Sequence, residues 1–314
     1  MPLLAVAIFA FSVLITLGAA GFFADRLDHL APRFGLPEAL VGLLTALAAD
    51  APEISSALIA LARGAKSVSL GVVLGSNAFN LAAMIGVSAV VAGSVRIEPR
   101  SLGIEGAVGL TGVLLASGVV IGAIAPGLAL LAFAVVLVPY LILLARRAPA
   151  PRARAERSHR LSETPSWRLA STILLAIALI VAGSEGMVRS ALTLAGEWHL
   201  SAALVGVLIL AVLTSLPNAF TAVRLGSHRR GAALVSETLN SNTINLLGGV
   251  MVPALIVGLA PATGLAKFDL GWLILMTVVT VLLLARRRGA RCAGGVLLIV
   301  LYVMFVVVQV AHGG

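Results

Sequence analysis

The sequence predicts an all-α polytopic membrane protein, with ten transmembrane helices arranged as two inverted five-helix repeats. Three observations lead there. The chain of 314 residues is 60% hydrophobic and only 11% charged, with a mean hydropathy of +1.09. A water-soluble domain of this length has no interior large enough to hide so much apolar surface. Apolar runs long enough to cross a bilayer recur along the whole chain. Two polar motifs recur inside those runs at a constant offset of 165 residues.

The runs fall at 3–23, 38–62, 67–92, 102–122, 126–145, 168–188, 201–224, 232–258, 270–285 and 292–311. The run 270–285 is the shortest, and Pro126 sets the division between the fourth and fifth. No Lys or Arg precedes the first run, so 3–23 reads as a retained helix rather than a signal peptide. Asp25, Asp28 and His29 then fall in a loop. Glu105 and Glu185 lie near span ends and are expected at the interface. The stretch 146–167 is rich in Arg, Ala and Pro and has no apolar periodicity, so it reads as a flexible linker. It separates a first half, 1–145, from a second, 168–314. An odd number of helices per half makes the second half enter the membrane from the opposite side, which inverts the repeat.

The charges follow the same plan. Ten spans put 18 of the 22 Lys and Arg residues on one side and leave Arg63, Lys66, Arg189 and Lys267 on the other. The positive-inside rule then places the linker in the cytoplasm and both termini outside. The net charge of +9 is therefore topological, with the lipid bilayer as its partner and no role for nucleic acid. Cys292, the single cysteine, excludes an intrachain disulfide. No HExxH, GxSxG, Walker or GxGxxG pattern stands in a meaningful setting, so neither an enzyme nor a bound cofactor is expected. The absence of targeting extensions points to a prokaryotic inner membrane.

The chemistry concentrates in the second and third spans of each half, 38–92 and 201–258. The first carries Ala49-Asp50-Ala51-Pro52-Glu53, then Gly75-Ser76-Asn77-Ala78-Phe79-Asn80. The second carries Thr214-Ser215-Leu216-Pro217-Asn218, then Asn240-Ser241-Asn242-Thr243-Ile244-Asn245. Pro52 and Pro217 remove the helical donors of the Ala48 and Leu213 carbonyls, which predicts two partly broken helices facing each other. Asp50 and Glu53 are three residues apart and share a helix face. Two carboxylates there repel, and both cannot stay ionised unless a cation joins them. Ser76 and Asn80, and likewise Ser241 and Asn245, are four apart and line one stripe. Glu237 lies one turn before Ser241 on that stripe, as a third carboxylate, a gate residue or a plain helix-start glutamate. Gly71 and Gly75 permit close helix packing.

At these residues the sequence resembles the cation/Ca²⁺ exchanger superfamily, which includes sodium/calcium exchangers. Its two α-repeats carry a G-[TS]-S-x-P-E type motif followed by a G-S-N-x-[FIV]-[ND] motif. The resemblance implies alternating access, with Na⁺ or H⁺ exchanged against Ca²⁺ in mid-membrane. By matching position it makes Glu53 a Ca²⁺ ligand and sets Ser76, Asn80, Thr214, Ser215 and Asn245 along the ion sites. The departures are specific. Asn218 stands where the family usually has a second acid, and Asn245 stands where it often has one. Asp50 stands in place of a small hydroxyl residue, and Ala49 replaces another. One carboxylate has thus moved from the second repeat into the first. Asp50, Glu53, Ser76, Asn80, Thr214, Ser215, Asn218, Glu237, Ser241 and Asn245 form the expected ion-binding set. The cargo it implies is Ca²⁺, Na⁺ or H⁺. The alternatives are a Na⁺/H⁺ or other monovalent exchanger, and a non-transporting relative. The sequence leaves the oligomeric state open.

Overall fold

The computed structural model describes residues 2–30, 46–146, 166–259 and 262–313. The predicted linker lies almost wholly outside these residues, as do the first residues of the second span. Helix α1 is Pro2–Leu30 and α2 is Ala51–Ala62, preceded by a helical turn at 46–49. Then come α3 (Lys66–Ala92), α4 (Pro99–Val120) and α5 (Pro126–Arg146). The second half contains α6 (Ser166–Glu197), α7 (Ala202–Leu204 continuing through Val205–Ser227), α8 (Gly231–Val257), α9 (Gly264–Leu284) and α10 (Cys292–Gly313). Among the described residues nine of these helices are long and apolar enough to cross a membrane, and α2 is the described part of the remaining predicted span. A two-stranded ribbon pairs β1 (Ser94–Val95) with β2 (Ala290–Arg291) at the arginine-rich ends of the helices.

Helix ends depart from the sequence expectation where charge interrupts an apolar run. α1 continues to Leu30, so the predicted loop at 24–29 is helical. α9 starts at Gly264 rather than 270, because Thr263 caps it by accepting the Ala266 N–H at 3.1 Å. Lys267 and Asp269, which cut the apolar window short, sit inside its first turns. Pro126 opens α5 as expected, at a position where its missing N–H costs nothing.

The prolines of the motifs act more gently than predicted. At Pro52 the break is one residue deep. Asp50 is a turn with φ −84° and ψ −3°, its N–H donates to Ala46 O at 2.9 Å, and Ile54 N donates to Asp50 O at 3.1 Å. Pro52 has no N–H to supply the rung to Ala48 O, and the bonds at Asp50 carry the ladder across the turn. At Pro217 helix α7 runs through without interruption. The larger irregularities are π-helical segments that no motif announced: Leu81–Val87 in α3, Val205–Leu210 in α7 and Leu247–Met251 in α8. Those in α3 and α8 occupy matching places in the two halves, directly after the Asn80 and Asn245 motifs.

The core lies where the repeats meet. Val68, Val72 and Leu81 of α3 pack with Leu210 of α7, Leu246, Val250 and Met251 of α8, and Leu273 and Met276 of α9, all essentially inaccessible. A second cluster around Met84, Ile85, Leu234 and Leu298 sits beside the ribbon. The pseudo-two-fold relation shows in one contact. Asn77 Nδ2 donates to Asn242 O at 3.0 Å and Asn242 Nδ2 donates to Asn77 O at 3.1 Å. Residues 165 apart thus exchange identical bonds, the mark of an isologous contact. At the other end of α2, Glu185 of α6 accepts from Arg63 and, at 2.7 Å, from Arg189. Glu105 lies between helices, half-buried, and accepts from Ser236 of α8 at 2.8 Å.

Glycine permits a close crossing of α3 and α7. A β-carbon on Gly75 would stand 2.9 Å from Ala211 Cβ and 2.9 Å from Val207 Cα of α7. Gly206 of α7 would meet Val68 Cα of α3 at 3.0 Å. Both distances forbid a side chain, so the two helices approach backbone to backbone. Gly75→Leu is expected to cost about 1–3 kcal/mol by forcing α3 and α7 apart. Thermal unfolding in detergent checks this, against Gly103→Leu on α4, where a β-carbon meets nothing within 4 Å.

Candidate functional site

Four helices bring the polar motifs to one place, α3, α7 and α8 from near the middle of their length and α2 from its start. α2 supplies Asp50, just before its first turn, and Glu53. α7 supplies Ser215 and Asn218, one turn apart. α8 supplies Ser241, and α3 supplies Asn80. All six side chains are at most 2% exposed.

The bonds run between the halves. Ser215 Oγ donates to Glu53 Oε1 at 2.9 Å. Asn218 Nδ2 donates to Asp50 Oδ1 at 2.7 Å, and Ser241 Oγ donates to the same oxygen at 2.6 Å. Asn80 Nδ2 then donates to Ser241 Oγ at 3.2 Å and to Asn242 Oδ1 at 3.1 Å. Asp50 matches Ser215 in the repeat, and Glu53 matches Asn218. The Asp50–Asn218 bond and the Ser215–Glu53 bond are therefore the same contact seen from either half. In each, an acid of the first half accepts from a neutral donor of the second.

Each carboxylate uses one oxygen in these bonds. Asp50 Oδ2 and Glu53 Oε2 are buried without a hydrogen-bond partner, as is Asn80 Oδ1. Unpaired buried acceptors are costly, and buried charges more so. Three oxygens lacking donors, two of them carboxylate, are what a hard cation takes as ligands. The donor set is oxygen throughout, and among the described residues no three His, Cys, Asp or Glu side chains converge to hold a metal ion. The charge balance thus rests on two carboxylates.

The remaining expected residues take other positions. Thr214 Oγ1 donates to its own helix, to Leu210 O at 2.9 Å and Ala211 O at 3.2 Å. Ser76 Oγ donates to Val73 O at 3.1 Å. Both are fully buried, and their hydroxyl lone pairs stay free of donors. Asn245 is fully buried with neither amide atom bonded, so it stands apart from its repeat mate Asn80. Glu237 is half-buried and makes no hydrogen bond to the cluster, but it interacts electrostatically with Asp50. Ala49 and Ala48 bring no side-chain ligand.

Sequence reasoning passed over three polar contacts. Asn77 and Asn242 were visible as a repeat match, but their clasp needs the fold to bring them together. Tyr140 OH of α5 donates to Asn240 Oδ1 at 2.9 Å, tying a peripheral helix to the start of the second amide motif. Gln309 of α10 donates to Asp269 of α9, both buried. The only signal for this last pair was an acid just before one apolar run and an amide inside another.

Ten helices in two inverted halves, with a buried oxygen-rich cluster at the repeat interface, define an integral membrane transporter rather than an enzyme. The match to the sodium/calcium exchanger protein model covers residues 4–147 and 169–311, and the chain belongs to that family. Among curated relatives it is 26% identical over 257 residues to a putative antiporter, CaxA, of Alkalimonas amylolytica, covering 78% of this chain and 80% of that one. It is 25% identical over 267 residues to the inner membrane protein YrbG of Escherichia coli (strain K12), covering 81% and 80%. Its fold superposes on solved structures of the sodium-calcium exchanger NCX_Mj, with a TM-score of 0.67, 19% identity and 99% of both chains covered.

Asn218→Leu would leave Asp50 with Ser241 alone. Hydrogen bonds to charged groups contribute about 1.5–3 kcal/mol, so cation affinity is expected to fall at least about tenfold. Isothermal titration of the purified protein with Ca²⁺ and with Na⁺ measures this.

Proposed function

We propose that this chain is a secondary antiporter that moves Ca²⁺ against Na⁺ or H⁺ by alternating access, with Asp50 and Glu53 as the charged ligands. The observation that carries the reading is the pair of repeat-related bonds, Asp50–Asn218 and Ser215–Glu53, each leaving a buried carboxylate oxygen free. A divalent ion between Asp50 Oδ2 and Glu53 Oε2 balances both charges. Ser76, Asn80, Thr214, Ser215 and Ser241 add neutral oxygens for it or for the counter-ions. Glu237 extends the carboxylate field one turn toward the arginine-rich end. The ligands belong to both halves, so rocking one repeat against the other opens the site to either side in turn. The name antiporter carried by the CaxA relative and the exchanger fold agree with this reading.

A second reading, exchange of Na⁺ against H⁺ or another monovalent cation, is favoured by one feature. Asn218 is neutral, so both acids lie in the first half and the second contributes no charge to the hydrogen-bonded cluster. The deciding experiment is ⁴⁵Ca²⁺ uptake into Na⁺-loaded proteoliposomes, with Glu53→Gln as control. The substitution removes the charge and keeps an oxygen for Ser215 to donate to. Gradient-dependent uptake that falls to background in the variant is expected. Absent uptake together with Na⁺-driven proton movement transfers the assignment to the second reading.

The arginine-rich ends of the helices are assigned to the cytoplasm of a prokaryotic cell, with both termini outside. Cys292 lies at those ends and is exposed. A membrane-impermeant maleimide is expected to label it only after the cells are permeabilised. Equal labelling of intact cells would reverse the orientation.

A further inference from the structure

The connection between α9 and α10 holds the densest positive charge among the described residues: Arg286, Arg287, Arg288 and Arg291. These arginines belong to an ordered surface. Gly289 turns the chain at φ 67°, where a side chain would be strained and would also meet Arg96 Cγ at 2.9 Å. Ala290 and Arg291 then pair with Val95 and Ser94. Arg96 Nε donates to Arg288 O at 3.3 Å, and Cys292 N donates to Gly93 O at 3.2 Å. The ribbon thus holds the loop of the second half against the α3–α4 connection of the first.

A cleft of about 710 Å³ results, walled by the four arginines, Gly93 and the first turn of α10. No acidic residue lines it. Among the described residues, none of the four arginines takes part in an ion pair. Four guanidinium groups around one cleft repel, and the partly unpaired N–H groups at the start of α10 add to the positive potential. Planar forks of this kind match phosphate oxygens two at a time. The cleft lies where α9 ends and α10 begins, at the depth of lipid headgroups if both helices span. Below it both helices turn apolar side chains outward: Leu282 is 61% exposed, Val296 46% and Val300 46%. A free phosphate would use only the charged part. A ligand with a phosphodiester and hydrocarbon chains would use both.

We propose that this cleft binds the headgroup of an anionic phospholipid, with the acyl chains along the outer faces of α9 and α10. The lipid would clamp the ribbon, and with it the junction of the two halves. The distinction from a merely topogenic basic loop lies in ordered geometry and discrimination among headgroups.

Native mass spectrometry of the purified full chain tests this, with phosphatidylglycerol, phosphatidylcholine and inorganic phosphate as probes. Wild type is expected to retain phosphatidylglycerol at least tenfold better than phosphatidylcholine, and inorganic phosphate should not displace it. Replacing Arg286, Arg287 and Arg288 by Ala should lower retention at least tenfold. The same substitution at Arg224, Arg229 and Arg230, which removes equal charge from the neighbouring turn, should leave it unchanged. Equal retention of the two lipids, equal loss in both variants, or displacement by phosphate would overturn the proposal. Hydrogen exchange on the unmodified protein gives a readout independent of how the variants fold. Slower exchange over 285–294 in phosphatidylglycerol nanodiscs than in phosphatidylcholine nanodiscs supports the site, and equal exchange sinks it.

Discussion

Two carboxylates one helical turn apart, buried where water cannot reach, are the constraint on which this structure turns. Asp50 and Glu53 cannot stand alone in an apolar interior. Each needs donors, and none of the bonds they accept from side chains comes from α2. The donors come from α7 and α8, which belong to the other half of the chain. Holding Ser215, Asn218 and Ser241 within 3 Å of two carboxylates requires the helices around them to approach closely. Gly75 and Gly206 supply that approach at the α3–α7 crossing, and the Asn77–Asn242 clasp fixes α3 against α8. The polar site and the tight packing are therefore one requirement met twice. The acids need donors at fixed positions, and the donors need bare backbone to reach them.

The repeat adds a second level to the same constraint. The two halves keep the register of the polar groups but not their charge. Asp50 sits where the second half has Ser215, and Glu53 sits where it has Asn218. Because the bonds pair each position with the non-equivalent one, every contact still joins an acid to a donor. Had both acids occupied repeat-equivalent positions, each would have met the hydroxyl residue of the opposite half. Instead one is met by a hydroxyl and the other by an amide and a second hydroxyl. Asp50 is the more heavily bonded of the two, and Glu53 the more available. In the proposed cycle, movement between the halves exchanges neutral donors around charges that stay with the first half.

Much of this was legible in the sequence because membrane interiors tolerate few polar residues. Pro52, Pro217 and the paired Ser-Asn motifs stood out against apolar runs, and their constant offset tied them into two related sites. Six of the expected ion-binding residues meet at the interface of the halves in two hydrogen-bonded groups, Glu53 with Ser215, and Asp50 with Asn218, Ser241 and Asn80. Ser76 and Thr214 turn their hydroxyl protons to their own helices, and Asn245 stays apart, because the spacing of a stripe fixes a face but not a partner. Helix ends were least legible where charge lies inside a span. Lys267 and Asp269 masked the first turns of α9, and the bond from Gln309 that accommodates Asp269 comes from a different helix. The ribbon-bound arginine cleft was hidden for a similar reason. A basic loop is visible in sequence, whereas its closure by Ser94 and Val95 from the other half is not.

The π-helical segments show where sequence reading stops. Leu81–Val87 and Leu247–Met251 come directly after the two amide motifs at matching places, yet they share little beyond apolar character. No local propensity explains why both depart from the α-helix there. A π segment admits one extra residue per turn and rotates the later turns about the helix axis. In α3 this lets Asn80 meet Ser241 and Asn242 of α8 while Gly86, beyond it, packs against α10 near Gly295 and Leu298. A regular helix would have to sacrifice one of these registers. The shared feature of the halves is thus a backbone solution, imposed by fitting one helix to a polar site at its middle and an apolar neighbour at its end. Side-chain identity can then differ between the halves, as it does at Asp50 and Ser215 and at Glu53 and Asn218, while the geometry that brings ligands together is shared.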